Sequence, residues 1–325
     1  MKAGKLSPEK LETLVLSRLG HRRSDVLIHA GFGEDSAVID FGDEVCIIST
    51  DPITGAVEGL GELAVNVSCN DVAANGGHPI GVQVVLLLPE GTEDAALGQI
   101  IQDIDRAAAA LNVEVIGGHT EVTSKVSQIV VSVTAIGRAP KDRYVASSGA
   151  RPGDGIVMTK TAGIEGTLVL AQDFSDRLPA IPQVDVNRLR RQLSVVREGI
   201  LAAAFGVSAM HDMTEGGLLG AALELAAASE VGFVINEDAV PIAPLTHQIC
   251  RQFGLDPLAL LSSGSMLITS SRASELVRFL NDHKIEAARI GTIHAGRKAL
   301  LQRNNELIEL PACIEDELWR FFSRQ

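Results

Sequence analysis

The sequence is poor in aromatic residues, which make up 3% of its 325 positions. Val, Ile, Leu and Ala must therefore fill its cores. Cysteine is scarce as well: Cys46, Cys69, Cys250 and Cys313 form no CxxC pair. Their spacing suggests neither a zinc site nor a disulfide framework, and Cys46 sits in an apolar run that reads as core. No apolar run approaches the ~20 residues that span a bilayer; the one at residues 84–88 is far too short. The segment Met1-Lys2-Ala3-Gly4-Lys5-Leu6-Ser7-Pro8 lacks the apolar core of a signal peptide. A cytoplasmic protein with no membrane segment is expected. No basic block offsets the net charge of −13, so general nucleic-acid binding is not expected. An acidic protein that takes an acidic ligand needs metal ions, helix N-termini or backbone N–H groups to offset the charge.

The familiar nucleotide and hydrolase motifs are missing too. Gly31-Phe32-Gly33 begins like a dinucleotide fingerprint, but Ser36 stands where the third glycine is needed for close helix packing. There is no Walker A loop and no GxSxG elbow.

What is present reads as an ordinary globular chain, with 46% apolar and 21% charged residues. Its length suggests two domains of ~100–200 residues. Turn formers and charges cluster over residues 138–155, so the boundary is placed there, giving domains 1–145 and 146–325. Ser7-Pro8 reads as a helix start, with Leu11, Leu14, Val15 and Leu19 on one face. Strands are expected at 37–41, 44–50 and 80–88, the last covered on both faces. Helices are expected at 58–75 and 93–111. Strands at 113–116 and 128–136 flank a polar loop, 117–127. The second half alternates again: strands at 156–160, 208–211, 232–235, 265–269 and 287–292, helices from Glu165, Asn187 and Gly216, and a helix at 272–281. Both halves are α+β or α/β.

The informative feature is acids at element ends. Asp35 follows a glycine turn, and Asp51 follows the strand ending at Thr50. Asn70-Asp71 lies in a small-residue helix where polar groups need partners. Singly, each acid reads as a solvated turn or cap residue. Together they suggest a magnesium site, because Mg²⁺ prefers oxygen ligands and bridges to phosphates. Gly117-Gly118-His119-Thr120-Glu121 joins close backbone approach to oxygen donors; its bland reading is a β-turn. In His211-Asp212-Met213-Thr214-Glu215-Gly216-Gly217, Asp212 closes a strand and the glycines open a helix whose N–H groups could hold an anion. An ordinary N-cap explains Thr214 and Glu215 alone. Lys160 could neutralise phosphate, or be a surface lysine. Ser262-Ser263-Gly264-Ser265 is a further polar turn.

These segments, in this order, resemble the aminoimidazole ribonucleotide (AIR) synthetase superfamily, which includes thiamine-monophosphate kinase, selenophosphate synthetase and the hydrogenase maturation protein HypE. The resemblance rests on Gly33-Glu34-Asp35-Ser36-Ala37-Val38, Ser49-Thr50-Asp51, Asn70-Asp71 with Gly76-Gly77-His78-Pro79, Gly117-Gly118-His119-Thr120 and Asp212-Met213-Thr214-Glu215-Gly216-Gly217-Leu218. It runs from about Gly31 to Gly291 and looks closest to the HypE-like, synthetase-related group. It implies a two-domain α+β, PurM-like fold, with an N-terminal mixed sheet that binds ATP and Mg²⁺ and a C-terminal α+β domain. It also implies a homodimer whose N-terminal sheets meet, with ATP near the interface. Asp35, Asp51 and Asp71 match magnesium-binding acids. His119 replaces an acid of several relatives, leaving Glu121 as a substitute. Asp212 matches an acid near metal or phosphate and, with Asp71, is a candidate catalytic group. Lys5, Asn70, Gly117, Gly118, His119, Thr120, Lys160, Thr214, Gly216 and Gly217 are the candidate nucleotide contacts. HypE ends in a cysteine that carries a carbamoyl group, whereas this sequence ends Phe321-Phe322-Ser323-Arg324-Gln325. The self-modifying reaction therefore does not follow from the resemblance, while the ATP-binding motifs do.

The reading favoured by this pattern is ATP- and Mg²⁺-dependent phosphoryl transfer to an amide, acyl or similar oxygen of a small-molecule or protein-borne acceptor. Hydrogenase or other metalloenzyme maturation is one setting. The alternatives are a small-molecule kinase of the thiamine-phosphate type and a non-catalytic, nucleotide-responsive assembly partner.

Overall fold

The computed structural model describes residues 6–53 and 59–324. The first half runs α1 (Pro8–Leu14), β1 (Val26–Ile28), β2 (Ala37–Asp40), β3 (Glu44–Ile53), α2 (Leu60–Ala74), β4 (His78–Leu88), α3 (Asp94–Ala110), β5 (Glu114–Val122) and β6 (Val130–Pro140). The strands form one mixed sheet in the order β1-β2-β3-β6-β4-β5, antiparallel except between β4 and β5. Alternation along β6 buries Val131, Val133 and Ala135 and turns Ser132 and Thr134 the other way. One stripe of α3, Ile100, Ile104, Ala107 and Ala108, packs on the buried face. In α2, by contrast, 14 of 15 residues are buried. It is wedged between the sheet, α3 and a helix of the second half. Its polar residues must therefore find partners inside the protein.

Several expectations change here. Strand β4 is covered on one face only: Val82, Val84, Leu86 and Leu88 are buried, but Ile80 is 50% and Val85 37% exposed. Cys46 lies half-buried rather than in the core. The expected polar loop after residue 116 is strand as far as Val122, with all nine residues of β5 exposed at the sheet edge. Its two glycines, poor strand formers, hide it in the sequence. Helix α1 starts at the expected proline but buries none of its residues.

The second half comprises β7 (Gly155–Thr159), α4 (Ile164–Asp173), α5 (Gln183–Arg190), α6 (Val196–Phe205), β8 (Ala209–Asp212), α7 (Gly217–Ala228), β9 (Gly232–Asn236), α8 (Pro244–Phe253), β10 (Met266–Ser270), α9 (Ala273–Asp282), β11 (Ala287–His294), β12 (Ala299–Arg303), β13 (Glu306–Glu309) and α10 (Glu317–Phe322). Its sheet has the order β13-β12-β9-β11-β7-β10-β8. Ile156, Met158, Phe233 and Leu267 pack against Leu218, Ala222 and Leu225 of α7. The single helix expected from Asn187 is two, α5 and α6, because residues 191–195 leave the helix to meet α2. The scarce aromatics gather at the end of the chain. Phe321 of α10 lies 4.9 Å from Phe174 and 4.8 Å from Phe253, with Arg177 over all three rings. This box holds α10 on α4 and α8. Among the described residues, no helix is long and apolar enough to cross a membrane.

Candidate active site

Four aspartates from four separate elements come within electrostatic reach of one another where α2 meets β8. Asp35 is delivered by the loop before β2, Asp51 by β3, Asp71 by α2 and Asp212 by the last position of β8. Asp71 accepts a hydrogen bond from Ser49 Oγ at 2.5 Å, and the same hydroxyl lies 3.1 Å from the Asp35 carbonyl oxygen. The Asp71 carboxyl is only 6% exposed. Burial, and then the neighbouring charges of Asp212, Asp51 and Asp35, push its pKa well above the usual carboxylate range. The cluster therefore carries more negative charge than its surroundings balance.

The cation nearest to hand is His211, also buried. Its Nδ1 is 2.6 Å from Asp35 Oδ1 and 3.9 Å from Asp212 Oδ1, and its Nε2 is 3.0 Å from Glu224 Oε2. Burial opposes charge on the ring, but Asp35 and Glu224 outweigh it and raise the pKa well above the histidine range. Beside it, Glu34 accepts the Ser147 N–H at 3.2 Å, and burial raises its pKa despite hydrogen bonds from Ser148 and Ser147. One ligand atom each from Asp35, His211 and Asp212 lies within 4.8 Å of the others. The donor chemistry fits a divalent cation. Carboxylates in excess of charge suit Mg²⁺, while His211, kept cationic between Asp35 and Glu224, orients the Asp35 carboxylate.

The other sequence candidates fare differently. Lys160 is partly buried, its side chain 11% exposed, with Nζ 2.6 Å from Glu198 Oε1 and donating to the carbonyls of Gln192, Ser194 and Gly264 at 2.6–2.9 Å. Its three N–H bonds are committed inside the chain, as in a structural anchor. Asn70 is likewise committed: Nδ2 donates to Leu193 O at 2.9 Å, and Oδ1 accepts from Val195 N at 2.7 Å. Gly216 N–H is taken by Asp316 Oδ2 at 2.6 Å. A side chain at Gly217 would come within 2.6 Å of Leu260 O. This glycine pair therefore serves packing and a carboxylate from the end of the chain. Thr214 supplies a carbonyl to Gly217 N and Ser262 N. The serine turn is structural too: Ser262 Oγ accepts from Gly163 N at 2.9 Å.

Gly117, Gly118, His119, Thr120 and Glu121 do not join the aspartates within one chain. Asp51 pairs with Val133, Val133 with Val84, and Val84 with Gly118. Three strand spacings put the β5 edge roughly 14 Å from Asp51. There, among the described residues, Glu121 meets only His119, at 3.4 Å in the open. Gly118 itself is required by close strand packing, since a Cβ would collide with the Val84 carbonyl. Lys5 lies outside the described residues.

Reading the sequence missed His211, Glu34 and Glu224 as members of this site. His211 and Glu34 each adjoin a chosen aspartate, which was the only signal. Glu224 sits 13 positions after His211 on another element, and nothing in the sequence pairs them.

The chain matches the family models of the AIR synthase related protein, with the N-terminal domain at residues 33–139 and the C-terminal domain at residues 151–302. It is 30% identical over 240 residues to the carbamoyl dehydratase HypE of Cupriavidus necator, covering 72% of this chain and 67% of that one. Its fold is similar to that in a HypE–HypF complex, with a TM-score of 0.77 at 20% identity over 93% of this chain and 99% of that one. It is also similar to HypE in complex with ATP, with a TM-score of 0.70 at 22% identity over 98% and 97%. The matched domains and the level of identity establish that the chain belongs to the AIR synthase-related, PurM-like family, in its HypE-like group.

Proposed function

We propose that this protein binds ATP with Mg²⁺ and transfers its γ-phosphoryl group to an amide oxygen carried by another protein, in hydrogenase or related metalloenzyme maturation. The observation that carries this reading is the convergence of Asp35, Asp51, Asp71 and Asp212, with Asp71 held well above the usual carboxylate range by burial and by the other three. Such a cluster repels a polyphosphate unless cations bridge the two. The four aspartates would hold Mg²⁺, which would offset charge on the transferring group. His211, pinned between Asp35 and Glu224, fixes the direction of the Asp35 carboxylate. The relative is named a carbamoyl dehydratase, and amide dehydration follows from the proposed transfer. The oxygen gains the phosphoryl group, the C–O bond breaks with phosphate leaving, both N–H protons go to solvent, and a nitrile remains.

Cys313 is a poor candidate for carrying the group itself. Although it is exposed, partial desolvation and then the nearby Glu224, Glu215 and Glu315 raise its pKa, which disfavours the nucleophilic thiolate. A homodimer is part of the proposal, supported by the apolar residues left open on the first sheet, Ile80, Val85, Val115 and Ile116, and by the bare β5 edge.

The test is phosphate release from ATP and Mg²⁺ across acceptors that include S-carbamoylated partner proteins. Release stimulated by the carbamoylated acceptor, with nitrile seen by mass spectrometry, is the expected result. ATP binding of equal affinity in Mg²⁺ and in chelator would refute the cluster assignment. A monomer by light scattering would refute the dimer.

A further inference from the structure

At the opposite end of the second sheet lies a polar cavity that the proposed chemistry does not use. Along β10, Met266 pairs with Asp212 at the aspartate end, while Ser270 pairs with Gly155 at the other. Four residues of strand separate the two ends by roughly 13 Å. The cavity has a volume of about 190 Å³, and Arg272, Arg278 and Arg289 line it together with Glu275, Ser274 and Gly155. Three guanidinium groups thus face one carboxylate, in a chain of net charge −13.

Two of the arginines are fixed in place. Arg272 donates to Phe205 O at 2.7 Å and lies over the Phe205 ring, 4.2 Å from its centre. Its Nη1 is 3.8 Å from Glu275 Oε2, too loose to spend the fork. Arg289 donates to Thr292 Oγ1 at 3.3 Å and lies across Gly155, where a Cβ would stand 2.9 Å from its Nε and 2.5 Å from the Ala273 methyl. Glycine at 155 thus leaves the room that the guanidinium occupies. Among the described residues, Arg278 has no carboxylate partner. The cavity opens beside the start of α9, whose dipole adds to the positive potential.

We propose that this cavity binds the phosphate group of a small anion, free or esterified, at a site separate from the aspartate cleft. Arginine forks match phosphate oxygens in pairs. A nucleotide is excluded on two grounds: the lining has no aromatic or broad apolar wall for a base, and the volume is below the ~300 Å³ at which drug-sized pockets begin.

The test is calorimetry on the full chain in chelator, with inorganic phosphate and glycerol phosphate as separate probes. Saturable binding of at least one probe is expected; which one binds more tightly tells free from esterified phosphate. Arg278→Ala and Arg289→Ala, both exposed positions, should each weaken it by about tenfold with unchanged circular dichroism. Asp71→Asn should leave it unaltered. Absence of saturable binding through the millimolar range, equal binding by both arginine variants, or loss of binding in Asp71→Asn would each overturn the site. None of these results bears on the ATP reading of the cleft.

Discussion

The segment at residues 192–195 and the aspartate cleft are both buried, polar and placed where the two halves of the chain meet, yet their charges are balanced in opposite ways. Around 192–195, Asn70 spends both ends of its amide on Leu193 and Val195. Lys160 sets one ammonium against Glu198 and three carbonyls. The lysine and the amide there both have their complements inside the protein, although among the described residues the neighbouring Gln192 Oε1 is buried without a hydrogen bond. In the cleft, four aspartates share one buried histidine, and Asp71 resists ionising. A buried network that is complete without a ligand holds a fold together; one that lacks a cation is built to receive it. Burial alone does not separate the two, because both Asn70 and Asp71 are buried on the same helix.

The largest expected effect tests the complete side. Lys160→Met leaves Glu198 buried without its cation, and breaking a buried pair in this way costs about 3–5 kcal/mol. A fall in melting temperature of roughly 10 °C should follow. A melt within a degree of wild type would mean that Lys160 is not the anchor its contacts indicate, and would reopen its assignment to phosphate.

Asp71→Asn tests the incomplete side. The amide keeps an oxygen for Ser49 Oγ but removes a charge that three neighbours oppose, so the melting temperature should hold or rise. Turnover of ATP should fall by ~10²–10³, the usual loss when one electrostatic contact to a reacting group is removed. The opposite pairing, a lower melt with turnover intact, would make Asp71 a structural acceptor and erase the contrast with Asn70.

The two sides also differ in how far the sequence reveals them. Most elements up to α4 are legible because apolar periodicity and turn residues agree there, as in β6 and α3; the short β1 and the glycine-containing half of β5 are the exceptions. The short strands β12 and β13 and the helix α10 lie where charged and apolar residues mix without a clear period, whereas α8 does carry a helical period in Leu245, Ile249 and Cys250. Asp35, Asp51, Asp71 and Asp212 can be found because each sits at a strand end or among small residues. The roles of Lys160 and Asn70 cannot. Whether a polar side chain is satisfied depends on carbonyls 32–34 positions away for Lys160 and a segment some 123 positions away for Asn70. Sequence spacing carries no record of such contacts. The same holds for Glu121, whose neighbours in the sequence suggest a ligand loop although pairing makes them an edge strand.

A smaller effect comes from acids behind the cleft. Burial, first of all, raises Glu165 and Asp316 to about 7 each. Both stand above their unfolded values, so the folded state binds more protons than the unfolded one between about pH 4 and 7. Stability from these groups is full below that window and is lost as pH rises through 7. Denaturant melts of Glu165→Gln should show a shallower decline from pH 5 to 8 than wild type. A parallel decline in both would place the proton uptake elsewhere.

The smallest effect is expected at the β5 edge, and there the comparison between the cleft and the rest of the chain can be sharpened furthest. Glu121 is 53% exposed in its side chain and, among the described residues, pairs only with His119, itself 65% exposed, at 3.4 Å. A contact so open to solvent contributes little. Glu121→Gln should therefore change stability by no more than about 0.5 kcal/mol, as ordinary surface substitutions do. Because three strand spacings separate it from Asp51, Mg²⁺ affinity measured without nucleotide should equal that of wild type. If a second copy brings its own β5 edge to the cleft, the variant will lose affinity as protein concentration rises into the dimeric range and not below it. Titrating Mg²⁺ at two protein concentrations tells these cases apart. A loss of affinity at both concentrations would show that Glu121 reaches the aspartates within its own chain, against the pairing that holds it at the far edge of the sheet.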